Sequence, residues 1–255
     1  MTNFKLKHKI RHLIKKIPMS EEFYNFFVSA IVPTYKEDGM RLHKNCSFTT
    51  DKDFLRGYSA ALKQSPTSKN KNRWRVHVTQ WAGQYAMNLD GDFVETGVDT
   101  ASFSASIIEY TKFKEHLNKK FYLFDTFEGI CDKLVLEGED VAYKHQYKNT
   151  YELVSSAFKD FPNVIIVKGI VPYSLKTVNI EKIAYLSIDM NCAQPEKEAL
   201  EFFWDKIVQG GIIILDDYCF YGRDIQKKYA DDFANSVKHK ILSLPTGQGL
   251  LIKSF

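Results

Sequence analysis

The stretch Gly210-Gly211-Ile212-Ile213-Ile214-Leu215-Asp216-Asp217-Tyr218 decides how the chain is read. An Ile-rich apolar run after a glycine pair has the character of a buried parallel strand. Two adjacent carboxylates emerge where that strand should end, and open α/β sheets bind their ligands at the carboxyl ends of strands. A second run, Ile183-Ala-Tyr-Leu-Ser-Ile-Asp189, also finishes on an aspartate. If the two strands are neighbours, Asp189, Asp216 and Asp217 converge on one spot. Hard oxygen ligands in such a cluster suit Mg²⁺ or a similar dication.

Working outward, short apolar runs at 93–98, 121–125, 164–169, 183–189, 211–216, 239–244 and 249–253 alternate with helical patterns at 102–117, 150–160, 194–208 and 222–236. That alternation predicts right-handed βαβ units and a mostly parallel sheet. The last two runs are separated by Pro245-Thr-Gly-Gln-Gly249 alone, too short for a crossover helix, so they should form an antiparallel hairpin. Before residue 91 the pattern is helical and aromatic-rich, with helices expected at 20–30, 51–64 and 73–89. The polar segment 65–72 reads as a linker. Residues 1–90 are therefore expected to form a helical extension or cap, and 91–255 the sheet domain.

The chain has 255 residues, 44% of them hydrophobic and 26% charged, which is ordinary for a soluble globular protein. No window has the length of apolar sequence that a membrane-spanning helix needs. The N-terminus lacks the pattern of a secretory signal. Cys46, Cys131, Cys192 and Cys219 lie far apart without a CxxC pair, which argues against a zinc site or a disulfide framework and suits a reducing cytoplasm.

The net charge of +4 is unevenly distributed. Residues 1–17 carry six Lys and Arg and no acid, leaving 29 basic against 31 acidic residues in the rest. The main body is not a basic nucleic-acid binder. Within the basic segment Leu6, Ile10, Leu13, Ile14 and Ile17 recur at helical spacing. A helix of this kind lies on an anionic membrane surface, or packs on its own domain or on a second subunit, as in a homo-oligomer.

The first strand, Phe93-Val-Glu-Thr-Gly-Val98, leads into the helix start Thr100-Ala-Ser-Phe-Ser-Ala105. A glycine at a strand end lets a ligand approach the backbone, the helix N-terminus offers free N–H groups to a carboxylate, and Glu95 can accept from an ammonium group. The GxGxxG of dinucleotide sites is missing. The second strand ends Phe124-Asp-Thr-Phe-Glu-Gly129, placing Asp125 where an acid holds ribose hydroxyls or caps a turn. The third ends Val167-Lys-Gly169, where a ring could approach.

With these motifs in order, the chain from Gly91 onward resembles the macrocin O-methyltransferase family, S-adenosylmethionine-dependent enzymes that methylate sugar hydroxyls. The matching pieces are Gly91-Asp-Phe-Val-Glu-Thr-Gly-Val98, Phe124-Asp-Thr-Phe-Glu-Gly129, Ser187-Ile-Asp-Met-Asn191, Gly210-Gly211 with Asp216-Asp-Tyr218, and Thr246-Gly247. Arg75 and its helix fit less distinctively. The resemblance implies a Rossmann-like class I methyltransferase fold, with a mostly parallel seven-stranded sheet ending in an antiparallel hairpin. It implies cofactor contacts from Glu95, Thr96, Gly97, Ser104, Asp125, Thr126, Phe127, Gly169 and Asp189. It implies a divalent metal, Mg²⁺ or similar, on Asp189, Asp216 and Asp217, with Asp189 and Asp217 catalytic.

One departure concerns the base. The family's strand ends Asp-x-Asp, with the second aspartate as general base, but here it reads Asp189-Met190-Asn191. An amide cannot accept a proton at neutral pH. His145, in the long polar segment 130–150 that should form a lid over the site, is a substitute or a plain surface histidine. Otherwise the metal suffices, or the chain binds cofactor without transferring methyl. Thr100-Ala101 also stands where the family has a basic residue and a glycine. The expected activity is metal-assisted O-methylation of a sugar hydroxyl on a glycan or glycosylated metabolite. A degenerate cofactor-binding protein and a catechol-type O-methyltransferase are the alternatives.

Overall fold

The computed structural model describes residues 9–10, 12–65, 72–139 and 149–254. Its centre is a seven-stranded sheet of β3 (Asp92–Thr96), β4 (Phe121–Asp125), β5 (Val164–Lys168), β6 (Ile183–Ile188), β7 (Ile207–Leu215), β8 (Leu242–Ser243) and β9 (Gly249–Ile252). Strand order is β5-β4-β3-β6-β7-β9-β8. The first five in that order run parallel, and β9 pairs antiparallel with both β7 and β8. The expected parallel sheet closed by a hairpin is what the chain forms. Because β6 lies between β3 and β7, the order reverses beside β3. That reversal opens a crevice at the strands' carboxyl ends, and Glu95, Asp189 and Asp216 all come up to it.

Both faces of the sheet are covered, as the near-continuous apolar strands require. Side chains alternate along each strand. Val94, Phe124, Leu186 and Ile213 enter one core with α6 (Ala193–Phe203) and α7 (Asp224–Ser236). Phe93, Leu123, Tyr185, Ile212 and Ile214 enter the other, with Ala82 and Ala86 of α3 (Arg73–Ala86), Ile107 and Ile108 of α4 (Ser102–Thr111), and Val154 of α5 (Tyr151–Phe158). Each fully buried Ile, Leu or Phe contributes about 1.5–3 kcal/mol of transfer free energy, so these two layers hold the site's floor rigid.

The opening stretch differs from expectation in one respect. The strand starts at Ile207, four residues before the expected 211, and the glycine pair lies inside it. Between the pairs Ile183↔Ile207 and Tyr185↔Ile212 the register slips, making a bulge. A Cβ at Gly211 would meet the Val208 carbonyl at 2.8 Å, so the pair is required by that folded-back segment and is no strand-start signal. The run at 239–244 pairs only at Leu242–Ser243, and the helix expected to reach 208 ends at Phe203 with a 3-10 turn beyond.

Ahead of α3 come α1 (Glu21–Ile31) and α2 (Lys52–Gln64), both near the expected positions. Ser20 and Asp51 cap them, each accepting from the backbone N–H three residues on. Between them lies a hairpin the helical reading missed, β1 (Tyr35–Glu37) with β2 (Met40–Leu42). Its turn residues, Asp38 and Gly39, have φ of 50° and 70°. Asp-Gly is the dipeptide a two-residue hairpin with both centres left-handed selects. No helix among the described residues is long and apolar enough to cross a membrane.

Candidate functional site

A cleft of about 460 Å³ opens at the carboxyl ends of β3, β4, β5, β6 and β7. Of the residues expected at the cofactor, Glu95, Gly97, Asp125, Thr126, Phe127, Gly169 and Asp189 line it. Thr96 and Ser104 stand behind the wall. Thr96 Oγ1 donates to the Ser187 carbonyl, and Ser104 Oγ donates to Glu95 Oε2. His145 and the span 140–148 of the expected lid lie outside the described residues.

Glu95 is 2% exposed. Burial first, then the nearby Asp189 and Asp125, push its carboxyl well above the usual range. Among the described residues no basic side chain pairs with it. A buried carboxyl without a counter-ion can receive a cationic group, whose charge would favour its ionised form.

Gly97 sits where β3 and β6 pinch together, with φ +81°. A Cβ there would overlap the Asp189 carbonyl. The following loop is pinned by Asp125, whose carboxylate accepts from the N–H of Val98 (2.5 Å), Asp99 (2.8 Å) and Phe127 (2.6 Å). Asp125 therefore shapes the loop that leads into α4 as well as facing the cleft.

Ala101, fully buried at the N-terminus of α4, has φ 61° and ψ 35°. This left-handed conformation costs a residue with a Cβ about 1–2 kcal/mol. It gives the physical reason why glycine suits this position and alanine departs from it.

Ligand atoms of Asp189, Asp216 and Asp217 lie within 4.8 Å of one another, as the two strand ends predicted. Burial and the neighbouring Asp217 push the Asp189 carboxyl up to about 7, against the pull of Arg75. Arg75, on α3, donates from Nε to Asp216 Oδ1 at 3.3 Å, and its Nη2 is ion-paired with Asp216 Oδ2 and lies 3.8 Å from Asp217 Oδ1. Gln248 in the C-terminal hairpin donates to Asp216 Oδ1 at 2.9 Å and is itself oriented by Thr246, which donates to its Oε1 at 2.9 Å. Gly247 packs under the Phe220 ring, with no room for a Cβ. The Thr246-Gly247 piece thus supports the first aspartate of the pair from behind.

Asn191 has φ 54°, a conformation Asn and Asp tolerate better than other side chains. Its Oδ1 accepts from Arg223 Nη2 at 2.7 Å and its Nδ2 donates to Asp189 Oδ1 at 3.3 Å. Arg223 Nε also lies 3.6 Å from Asp217 Oδ2. The amide is therefore a link between an arginine and a carboxylate. Arg223, Phe220, Tyr221, Cys131 and Leu134 also line the cleft. Nothing in their spacing marks Arg223 or Leu134 for this duty, because loop geometry brings them in.

Behind the cluster, Glu196 of α6 accepts from Met190 N–H (3.1 Å) and Gln226 Nε2 (2.9 Å). Burial, then Asp217 and Asp189, push it from 4.5 up to about 8. The folded chain thus keeps a proton that the unfolded chain releases near 4.5, so stability is full below that value and is lost as pH rises through about 8. Glu196→Gln keeps both acceptor contacts. It is expected to raise the melting temperature at pH 9 and to leave it nearly unchanged at pH 5. Equal shifts at the two pH values would count against this assignment.

Several known proteins share this architecture. The O-methyltransferase NovP is 18% identical over 71% of this chain and 80% of its own, with a TM-score of 0.57. CalS11, a calicheamicin methyltransferase, is 16% identical over 86% of this chain and 99% of its own, with a TM-score of 0.59. An apo structure of CalS11, described as a TDP-rhamnose 3'-O-methyltransferase, gives 15% identity, coverage of 83% and 96%, and a TM-score of 0.54. At these identities the likeness is one of fold. No curated protein matches the chain. The profile of the macrocin O-methyltransferase family matches residues 74–242, from the second residue of α3 to the first of β8, and includes every aspartate of the cluster. The chain belongs to the macrocin O-methyltransferase family, and it is an S-adenosylmethionine-dependent O-methyltransferase.

Proposed function

We propose that the protein methylates a hydroxyl of a sugar, carried on a glycan or glycosylated metabolite, with help from a divalent metal. The observation that carries this reading is the two-ended cleft. A buried carboxyl with no cation beside it among the described residues, Glu95, stands at one end, and the Asp189, Asp216 and Asp217 trio at the other.

The donor set fits both groups. Three carboxylates in a partly dry site suit a hard dication such as Mg²⁺, and Glu95, Gly97, Asp125, Thr126, Phe127, Gly169 and Asp189 face the space for the methyl donor, with Thr96 and Ser104 in support. Bound there, S-adenosylmethionine supplies an electrophilic methyl group and a dication supplies Lewis acidity toward the acceptor oxygen.

The chain's own part is positioning and proton handling. Asp125 and Gly97 fix the loop before α4, so the donor side is set before substrate arrives. Phe220 and Tyr221, the latter fully exposed, offer ring faces at the mouth on which a sugar can stack. The acceptor proton passes to the Asp189–Asp217 pair, since the Asn191 amide cannot take one up at neutral pH and is engaged by Arg223. Leu13, Ile17, Phe23 and Phe26 are exposed, the first two beside Lys15 and Lys16 in sequence, and such residues suit contact with a second copy of the chain or with an anionic membrane.

The test is methyl transfer to a panel of nucleotide sugars and glycosides, read by mass spectrometry, with Mg²⁺ or with chelator. Transfer to a sugar hydroxyl that chelator abolishes and Mg²⁺ restores is the expected result. Transfer to catechols alone would replace this reading with the catechol-type one. Tight S-adenosylhomocysteine binding without transfer to any acceptor would overturn it.

A further inference from the structure

Three carboxylates crowded at a strand end repel one another, and burial removes the water that would screen them. Without a dication, some other positive charge has to hold them together. Arg75 is placed to do so. From α3 its guanidinium engages both oxygens of Asp216, whose side chain is 2% exposed, and reaches within 3.8 Å of Asp217. Phe103 and Phe220 flank the guanidinium at 5.7 and 4.9 Å, leaving the side chain 16% exposed at the cleft.

This is also where a dication would bind. A hard cation takes carboxylate oxygens at about 2.0–2.6 Å. An oxygen of Asp216 that already accepts from the guanidinium cannot coordinate a metal without bringing two positive charges together. A guanidinium that leaves the pair needs a second acceptor nearby, because an unpaired charge in a partly buried site is costly.

Asp38 at the tip of the β1–β2 hairpin offers one. Its Oδ2 is buried and has no hydrogen-bond partner among the described residues. Burial raises its carboxyl, and Arg75 is the positive charge that opposes the shift.

We propose that Arg75 is a displaceable counter-ion, which closes the Asp189, Asp216 and Asp217 cluster in the metal-free protein and passes to Asp38 when a dication enters. Metal occupancy is then coupled to the N-terminal hairpin through one side chain. The inference rests on the metal reading given above.

The test is direct Mn²⁺ binding, by electron paramagnetic resonance or calorimetry and without turnover. It uses the full chain, Arg75→Met, Asp38→Asn and the double variant. Arg75→Met is expected to bind Mn²⁺ at least about tenfold tighter, equivalent to about 1.4 kcal/mol of competition removed. Asp38→Asn is expected to weaken Mn²⁺ about threefold or more in the native background and to change nothing beside Arg75→Met, where no guanidinium needs an acceptor. An Asp38 with a purely structural role would shift both backgrounds alike, which overturns its part. Melting curves and S-adenosylhomocysteine binding report on folding. If the Met variant does not fold, Arg75→Lys, which keeps charge but loses the two-pronged contact, is expected to bind Mn²⁺ more tightly than the native chain. Equal or weaker Mn²⁺ binding after either substitution at Arg75, with the native chain binding, overturns the displacement alone. Absence of Mn²⁺ binding in every form overturns the metal reading and this inference with it.

Discussion

Asp217→Asn is expected to lower methyl transfer by at least about a hundredfold while leaving the fold in place, because on the proposed roles it removes one metal ligand and one proton acceptor, and with them several kcal/mol of transition-state stabilisation. The substitution is the cleanest available at the cluster. Asp217 is 12% exposed at the side chain, and its contacts with Arg75 and Arg223 are long, at 3.8 and 3.6 Å. An amide of the same shape disturbs little. It also removes the negative charge that helps push Asp189 up to about 7, so Asp189 should ionise more readily. The melting temperature should therefore hold or rise. Asp216→Asn is less informative, since Asp216 is buried and braced by Arg75 and Gln248, and a structural loss would accompany any chemical one. The measurement is single-turnover methyl transfer at saturating cofactor with a melting curve alongside. Undiminished transfer in Asp217→Asn would remove this aspartate from both the metal and the chemistry.

The parts of this site legible in the sequence are those carried by strands. An Ile-rich run ending in Asp-Asp, and another ending in Asp189, can be placed on a parallel sheet because period and apolarity alone specify a buried strand. Their convergence needed only that β6 and β7 be neighbours, and they are. Glu95, Gly97 and Asp125 were found for the same reason. What escaped comes from elements whose local signal is weak. The β1–β2 hairpin has three residues per strand, too few to show alternation, and its Asp38-Gly39 turn was overlooked in a stretch that otherwise reads as helix. Asp38 was missed with it. Arg223 reaches Asn191 from just before α7, a contact fixed by loop geometry that residue type does not announce. Two strand boundaries moved because pairing, which the sequence does not show, decides where a strand stops: the glycine pair lies within β7, and β8 is short because only two of its residues find partners on β9.

Gly97→Ala is expected to cost about 3 kcal/mol or more, lowering the melting temperature by roughly 6–12 °C, and to weaken S-adenosylhomocysteine binding at least about a hundredfold. Two effects add. The backbone at φ +81° charges any residue with a Cβ about 1 kcal/mol or more. The larger effect is steric. The new methyl would lie against the Asp189 carbonyl, and a backbone atom cannot rotate aside as a side chain would. Relief requires β3 and β6 to part just beyond the bond from Asp189 N–H to the Thr96 carbonyl, 2.9 Å in the native chain. That movement shifts Glu95 and Asp189 away from each other and draws the aspartate cluster out of line with the Glu95 end of the cleft. Gly39→Ala separates the two effects, because Gly39 has φ +70° and no atom within 4 Å of a Cβ. It should lose only the conformational part, about 1 kcal/mol, and bind S-adenosylhomocysteine as the native chain does. Equal losses of stability and affinity in the two variants would show that the pinch between β3 and β6 does not hold the site in register.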